Sequence, residues 1–148
     1  MTESTNKKIL VADREPGIRR KLSDFFISIG YHVESAGGDG ELMSKLAADN
    51  YAVVLVDCQL TEAGGMDVLS RISATYPETP VIMLNSEPSL ESVIAALREG
   101  AFDFIIKPLE FSELGEIVQK ACDRHELLLS YKNLSVRMRQ EAVLVGIE

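Results

Sequence analysis

The sequence predicts an α/β fold in which five parallel strands alternate with five helices. Five short apolar runs rich in β-branched residues recur at roughly regular spacing, and the segments between them have the three-and-four spacing of amphipathic helices. The third run, Ala52 to Val56, is apolar at every position. A half-exposed antiparallel strand would alternate, so this run predicts a parallel strand buried on both faces, with right-handed crossovers.

The elements follow in order along the chain. The predicted strands are Lys8 to Ala12, Tyr31 to Ser35, Ala52 to Val56, Pro80 to Leu84 and Phe102 to Ile106. The apolar positions of the first four helices are Ile18, Leu22, Phe25, Phe26, Ile29, Leu42, Leu46, Ala47, Met66, Val68, Leu69, Ile72, Val93, Ile94 and Leu97. Gly30 and Gly100 are predicted helix C-terminal caps, Ser89 is a predicted N-cap, and a fifth helix begins near Glu110.

Length and composition favour one globular domain with an appended helix. The chain has 148 residues, of which 46% are apolar and 26% charged, which is typical of a folded domain. No apolar run approaches the roughly 18 residues of a membrane span, and the polar segment from Met1 to Lys8 lacks the core of a signal peptide. We therefore expect a cytoplasmic protein with no membrane partner.

The charge distribution argues against direct nucleic-acid binding. The formal net charge is −8; the chain through Cys122 holds 11 basic and 19 acidic residues, and the remainder holds 4 of each. Such an acidic body repels phosphate backbones, so any DNA-binding output would lie outside this chain. Cys58 and Cys122 form no CxxC pair, which favours reduced thiols.

Polar residues follow four of the predicted strands. Asp13, Asp57, Asn85 and Lys107 come after the first, third, fourth and fifth strands, and the carboxyl ends of parallel strands share one edge of the sheet. In a structural interpretation, Lys107 only neutralises Asp57. In a functional one, Asp57 is a nucleophile that accepts a phosphoryl group, Lys107 stabilises the added charge, and Asn85 or Ser86 donates a hydrogen bond to it.

Four segments resemble the receiver domain of two-component response regulators. They are Ile9 to Pro16, Val54 to Asp57, Pro80 to Leu84 and Gly100 to Pro108, and the resemblance runs from about Lys7 to about Asp123. It implies a flavodoxin-like (βα)5 doubly wound parallel sheet with strand order 2-1-3-4-5. It also implies a receiver domain over residues 1–123, a signalling module and not an enzyme.

The resemblance also implies roles for individual residues. Asp57 would accept the phosphoryl group from a sensor histidine kinase, with Lys107 as its charge partner. Phe104 stands at the place of the aromatic switch residue. Pro108 follows a peptide bond that is often cis in the family, and Gly65 matches the glycine of the loop after the acceptor.

The site departs from the family pattern at several positions. Arg14 stands where receivers usually have a second acid that binds Mg²⁺ directly, and Glu15 does not obviously replace it. Asn85 replaces the usual Thr or Ser, Thr61 the usual Pro, and Gly64 the usual acid or Asn. The expected metal site is therefore Asp13 and Asp57 with Mg²⁺, weakened by the neighbouring guanidinium.

Two interpretations of Arg14 follow, and with them two functions. In the first, Arg14 turns inward, pairs with Asp57 and stands in for Mg²⁺, which would make a phosphorylation-independent pseudo-receiver or dimerisation module. In the second it projects to solvent, and Asp13 and Asp57 keep a weakened metal. A flavodoxin-like binding protein or enzyme is a further alternative, although Asp13 to Pro16 lacks the glycines of a flavin phosphate loop.

The tail predicts a long helix. If the fifth helix continues through Glu141 it has roughly 30 residues and a length of about 45 Å, more than a domain of this size can cover. Leu127, Tyr131, Leu134 and Met138 have the 4-3-4 spacing of a coiled-coil seam, so residues 124–148 form a helical extension that we expect to dimerise. The alternative is an amphipathic helix that folds back on the body. Similar extensions connect receivers to ATPase domains in the nitrogen-regulation class of activators, so a downstream output domain or protein is a further expected partner.

Overall fold

The computed structural model describes residues 7–61, 64–144 and 146 of the chain. Strands and helices alternate throughout it, as the sequence predicts. The strands are β1 (Lys8–Ala12), β2 (His32–Ala36), β3 (Val53–Asp57), β4 (Val81–Asn85) and β5 (Asp103–Ile106). The helices are α1 (Pro16–Ser28), α2 (Asp39–Ala48), α3 (Gly65–Thr75), α4 (Leu90–Arg98) and α5 (Phe111–Leu144).

All strand pairs are parallel, and the strand order is β2-β1-β3-β4-β5. The flavodoxin-like topology is thus confirmed. The last four strands begin one residue later than predicted, and β2, β3 and β4 also end one residue later. Asp57 and Asn85 are consequently the last residues of β3 and β4, where they pair with Leu84 and Ile106. A polar side chain at a strand end leaves the backbone ladder intact, so apolar runs place such boundaries one residue too early.

The core has two layers, one on each face of the sheet. Strand residues such as Leu10, Val54 and Met83 pack beneath α2, α3 and α4. Their neighbours Ile9 and Val53 point the other way, beneath α1 and α5. Because every residue of β3 and β4 is buried, the centre of the sheet is covered on both sides, as the uniformly apolar third run predicts.

The helix ends agree with the predicted signals. Ser89 caps α4: its side chain accepts a hydrogen bond from the Ser92 amide at 3.0 Å, and the Ser92 hydroxyl accepts one from the Ser89 amide. Gly100 follows α4 with φ of 100°, a conformation that residues with a Cβ rarely adopt. Among the described residues, no helix is long and apolar enough to cross a membrane.

Helix α5 is continuous over 34 residues, which confirms the predicted C-terminal extension. Only its first part is packed into the core, through Leu114, Val118, Ala121 and Cys122. The next turns touch the body by polar contacts at Glu78, whose carbonyl lies 2.8 Å from His125 Nδ1 and whose carboxylate pairs with Lys132 at 2.7 Å. The helix therefore runs on past the body instead of folding back on it.

Candidate functional site

Three of the predicted site residues meet at the carboxyl edge of the sheet. Asp13 directly follows β1, Asp57 ends β3, and Lys107 directly follows β5. Lys107 Nζ lies 3.0 Å from Asp13 Oδ2 and 3.2 Å from Asp57 Oδ1. The lysine thus bridges two carboxylates, where the structural interpretation from the sequence paired it with Asp57 alone.

The two carboxylates differ in their access to solvent. The Asp13 side chain is 1% exposed and the Asp57 side chain 10% exposed. Asp13 is also held by the loop that follows it, because its Oδ1 accepts a hydrogen bond from the Glu15 amide at 2.9 Å. Asp13 is consequently a fixed, enclosed anion, whereas Asp57 retains an open side.

The loop after β1 is tied down by a residue that sequence reasoning missed. Arg19, in the first turns of α1, donates hydrogen bonds from Nη1 to the carbonyl oxygens of Asp13 at 2.6 Å and Arg14 at 3.3 Å. The sequence offers one signal for this role, which is the position of Arg19 near the N-terminus of a helix that begins shortly after Asp13. Arg19 positions the backbone that carries Asp13.

Burial and neighbouring charge set the ionisation of the site. Burial raises the pKa of Asp57, and the negative charge of Asp13 raises it further, while Lys107 opposes both. For Lys107, burial alone would lower the pKa, but the hydrogen bonds and charges of Asp13 and Asp57 outweigh it and raise the pKa. A protonated lysine between two carboxylates leaves a net charge of about −1, and this negative charge favours the binding of a cation.

Arg14 forms no ion pair with this cluster. Its side chain is exposed, and among the described residues the cation that pairs with the carboxylate oxygens of Asp13 and Asp57 is Lys107. The interpretation in which Arg14 turns inward and pairs with Asp57 is therefore wrong for this structure. A guanidinium gains more from hydration at an exposed position than from entering an enclosed site whose carboxylates already share a lysine.

The two predicted hydrogen-bond donors differ in their placement. Asn85 is buried beside the cluster, and its Oδ1 accepts a hydrogen bond from the Glu87 amide at 3.0 Å. That bond leaves the Nδ2 amide as the donor end of the side chain. Ser86 is exposed, and no hydrogen bond joins its hydroxyl to Asp13, Asp57 or Lys107 in the part of the chain that the structure describes.

Comparison with known proteins decides what this arrangement is. The family described as "Response regulator receiver domain" matches residues 9–119, three quarters of the chain. The chain belongs to the response regulator receiver family. The resemblance seen in the four sequence segments is thus confirmed.

Curated relatives and solved structures agree with the family match. Regulatory protein AtoC of Escherichia coli is 32% identical over 127 residues, and response regulator protein PilR of Pseudomonas aeruginosa is 34% identical over 117. These alignments cover 86% and 79% of this chain but 28% and 26% of the relatives, so the chain spans about a quarter of their length.

Among solved structures, a receiver domain protein from Clostridium thermocellum is 30% identical, with a TM-score of 0.78, and covers 82% of this chain and 98% of that one. NtrX from Brucella abortus, in complex with ADP, is 26% identical with a TM-score of 0.80. That comparison covers 88% of this chain and 29% of NtrX.

The loop that follows Asp57 in this receiver requires a glycine at position 65. A Cβ on Gly65 would lie 2.8 Å from both Cys58 Cα and Met83 Cε, and the Gly65 amide donates to the Cys58 carbonyl at 2.7 Å. Only glycine fits this close approach of α3 to the end of β3. The Gly64 amide in turn donates to the Thr61 carbonyl at 3.0 Å.

The residues around Lys107 also follow the family pattern. The peptide bond between Lys107 and Pro108 is cis, as the resemblance implies. Phe104 lies on β5 opposite Met83 and is half-buried against the core cluster that includes Ala96 of α4. The residue in the place of the aromatic switch therefore lies on the face of the sheet that α2, α3 and α4 cover.

The donor set of the acidic edge fits a hydrated magnesium ion. Asp13 Oδ2 and Asp57 Oδ1 both lie within hydrogen-bond distance of one Lys107 nitrogen, so the two carboxylates lie close together, and each has a second oxygen that does not contact this lysine. Mg²⁺ is typically held by one or two carboxylates and keeps several waters. Within the described residues no group of three or more His, Cys, Asp or Glu side chains could hold a metal, so two carboxylates are what this receiver offers.

Proposed function

We propose that this receiver accepts a phosphoryl group from a sensor histidine kinase on Asp57. The observation that carries the proposal is the difference between the two site carboxylates: Asp57 is 10% exposed, and Asp13 is 1% exposed. A nucleophile must reach phosphorus in a donor that comes from solvent, and Asp57 has the open side.

In the proposed step, an Asp57 oxygen forms a bond to phosphorus while the nitrogen–phosphorus bond of a phosphohistidine donor breaks. The electron pair of the broken bond returns to the imidazole nitrogen, and the aspartate becomes an acyl phosphate. Lys107 stands 3.2 Å from Asp57 and offsets the negative charge that arrives. Asn85, whose oxygen is held by Glu87, would present its amide nitrogen to a phosphoryl oxygen. The exposed Ser86 hydroxyl is the second candidate donor.

The proposal includes Mg²⁺ as the cofactor, with Asp13 and Asp57 as its protein ligands. When bound, the ion neutralises charge that develops during phosphoryl transfer. Asp13 suits a permanent ligand, because its carboxylate is enclosed and oriented by the Glu15 amide. Arg14 projects to solvent and so weakens the site only at longer range and through water. A cytoplasmic location, where such kinases phosphorylate their partners, stays a prediction from the sequence.

Incubation with a small phosphodonor such as acetyl phosphate, or with beryllofluoride, tests the proposal. We expect a Mg²⁺-dependent mass increase of one phosphoryl group, or a beryllofluoride fluorine signal, in the wild type. Asp57→Asn should abolish it, while Asp24→Asn, at an exposed aspartate of α1, is the matched control. No adduct with either reagent at any Mg²⁺ concentration would overturn the proposal and leave a phosphate-independent module.

We also propose that residues 124–148 form an extension that pairs two receivers and leads to an output domain or protein. The seam residues Leu127, Tyr131, Leu134 and Met138 support pairing, since their exposed fractions are 69%, 71%, 54% and 60%. Truncation after Cys122 should then give a monomer by light scattering. If the truncated body dimerises as well as the full chain, the contact lies on the globular face, most simply on α4, β5 and the first half of α5.

A further inference from the structure

The exposed seam lies on the side of α5 that faces away from the body. The buried positions Leu114, Val118, Ala121 and Cys122 define the face of the helix that contacts the core. At about 3.6 residues per turn, Leu127 and Leu134 lie on roughly the opposite face. A second helix can therefore pack along the seam with both globular bodies outside the pair.

Charged residues flank the seam at both ends and in register with it. The 4-3-4 spacing places Leu127 and Leu134 at one core position of a heptad and Tyr131 and Met138 at the other. Continuing the same register gives Arg124 one step before Leu127 and Glu141 one step after Met138. Both residues are exposed. Each end of the apolar seam thus carries one core-position charge, and the two charges have opposite signs.

These charges discriminate between the two orientations of a helix pair. In a parallel pair, Arg124 meets its own copy at one end and Glu141 meets its own copy at the other. In an antiparallel pair, Arg124 of one chain meets Glu141 of the other at both ends. The same register pairs Leu127 with Met138 and Tyr131 with Leu134, so every apolar seam residue has an apolar partner.

From this complementarity we infer that two copies of the chain pair through the seam in antiparallel orientation. The inference rests on the dimerisation proposed above and adds its direction and register. The two receivers then lie at opposite ends of the helix pair, and the chain continues beyond the seam in opposite directions. In the single chain the Arg124 guanidinium lies over the Phe102 ring, 5.5 Å from its centroid, so the charge rests beside the start of the seam.

Charge reversal on the full chain tests the orientation. Arg124→Glu and Glu141→Arg should each weaken the dimer by about three- to thirtyfold, because two symmetry-related attractive pairs become repulsive. The double variant should restore wild-type affinity. Arg139→Glu, which makes the same charge change off the seam, is the matched control. Sedimentation over a range of concentrations gives the dissociation constants, and thermal unfolding of each variant verifies the fold.

Three outcomes are distinguishable. In a parallel dimer, each single variant only exchanges one like-charge pair for another, so neither single nor double variants change the affinity, and the inferred orientation fails. A wild type that stays monomeric at all concentrations overturns the proposed dimerisation itself. Weakening by both single variants, with rescue by the double, supports the antiparallel register.

A distance measurement gives an independent check. Spin labels on Gln140→Cys, in a background with Cys58→Ser and Cys122→Ala, should be separated by about 20 Å along the axis of an antiparallel pair. In a parallel pair the labels lie side by side, with the helix axes about 10 Å apart. Retention of the wild-type dissociation constant verifies that the labelled chain pairs normally. A distribution confined to the short distance overturns the inference.

Discussion

The acidic edge of the sheet and the projecting half of α5 depart in opposite directions from the usual distribution of charged and apolar residues. At the edge, charged side chains are buried and satisfy one another: Lys107 bridges Asp13 and Asp57, and the Glu15 amide holds Asp13. On the projecting half, large apolar side chains such as Tyr131 and Leu134 are more than half exposed. Each region departs from the usual rule that apolar residues are buried and charges solvated.

The difference shows where each region finds its partner. The buried charges are paired within the chain, so the edge is stable without a second molecule. It needs a ligand only for the proposed phosphoryl transfer. The exposed apolar seam has no partner within the described part of the chain, so its burial requires a second molecule. Substitutions at the edge should therefore act on stability and phosphate chemistry, and substitutions in the seam on assembly.

The largest expected effect is on assembly. Leu134→Asp should abolish the dimer, because it places a charge in the centre of a seam only four apolar residues long. Val136→Asp is the matched control, since Val136 is 42% exposed on a different face of the same helix. Light scattering gives the mass of each variant. Equal loss of the dimer in both variants would show that the helix pairs through another face.

Removal of the bridging lysine should have the largest effect on stability. Lys107→Met leaves Asp13 and Asp57 buried without their cation, so we expect a loss of about 3 kcal/mol in the free energy of unfolding at neutral pH. The raised pKa of Lys107 means that the wild type keeps this contribution below pH 10.5 and loses it as the pH rises beyond. Urea titrations of the variant and of Lys120→Met, at an exposed lysine of α5, give the comparison. Equal losses in the two variants would contradict the proposed role of the bridge.

A smaller effect is expected at Arg14. Arg14→Asp should tighten Mg²⁺ binding by about tenfold, because it replaces a cation near the site with a carboxylate. Exposure of the Arg14 side chain reduces this effect below that of an inward guanidinium in contact with the ion. Calorimetric titration measures the affinity, and Arg14→Gln separates removal of the cation from gain of a ligand. Mg²⁺ affinity that is the same in all three proteins would show that position 14 does not act on the site.

The alternation of strands and helices and most of the edge could be predicted from the sequence because both depend on local patterns, whereas the strand order followed from the resemblance to receiver domains. Apolar runs predict all five strands, and the rule that parallel strands end at one edge predicts that Asp13, Asp57 and Lys107 lie together. The direction of the Arg14 side chain depends instead on a balance between hydration and pairing, which neighbouring residues do not encode.

Long-range packing sets a second limit on what can be predicted from the sequence. The hydrogen bonds from Arg19 to the loop after β1, and the close approach of Gly65 to Cys58 and Met83, depend on how α1 and α3 lie on the sheet. A heptad pattern likewise predicted the seam, but which face of α5 the body covers follows only from the packed positions Leu114 to Cys122. The spacing of residues in the sequence identifies which side chains share a face, and tertiary packing decides whether that face contacts the body or solvent.

The smallest expected effect, and the one whose sign is least obvious, is a gain in stability from Asp57→Asn. Because burial and Asp13 raise the pKa of Asp57 above its ordinary value of 3.8, the folded state binds this proton more tightly than the unfolded state does. The contribution of Asp57 to stability therefore falls as the pH rises from about 3.8 through its folded-state pKa. At pH 7 the ionised carboxylate destabilises the fold, so its neutral amide should increase the free energy of unfolding by about 1 kcal/mol, an ordinary size for one substitution. Urea titrations should show this gain shrinking towards pH 3, whereas exposed Asp24→Asn should show no such trend. A loss of stability at pH 7 would mean that the attraction of Lys107 for Asp57 outweighs both burial and the repulsion from Asp13.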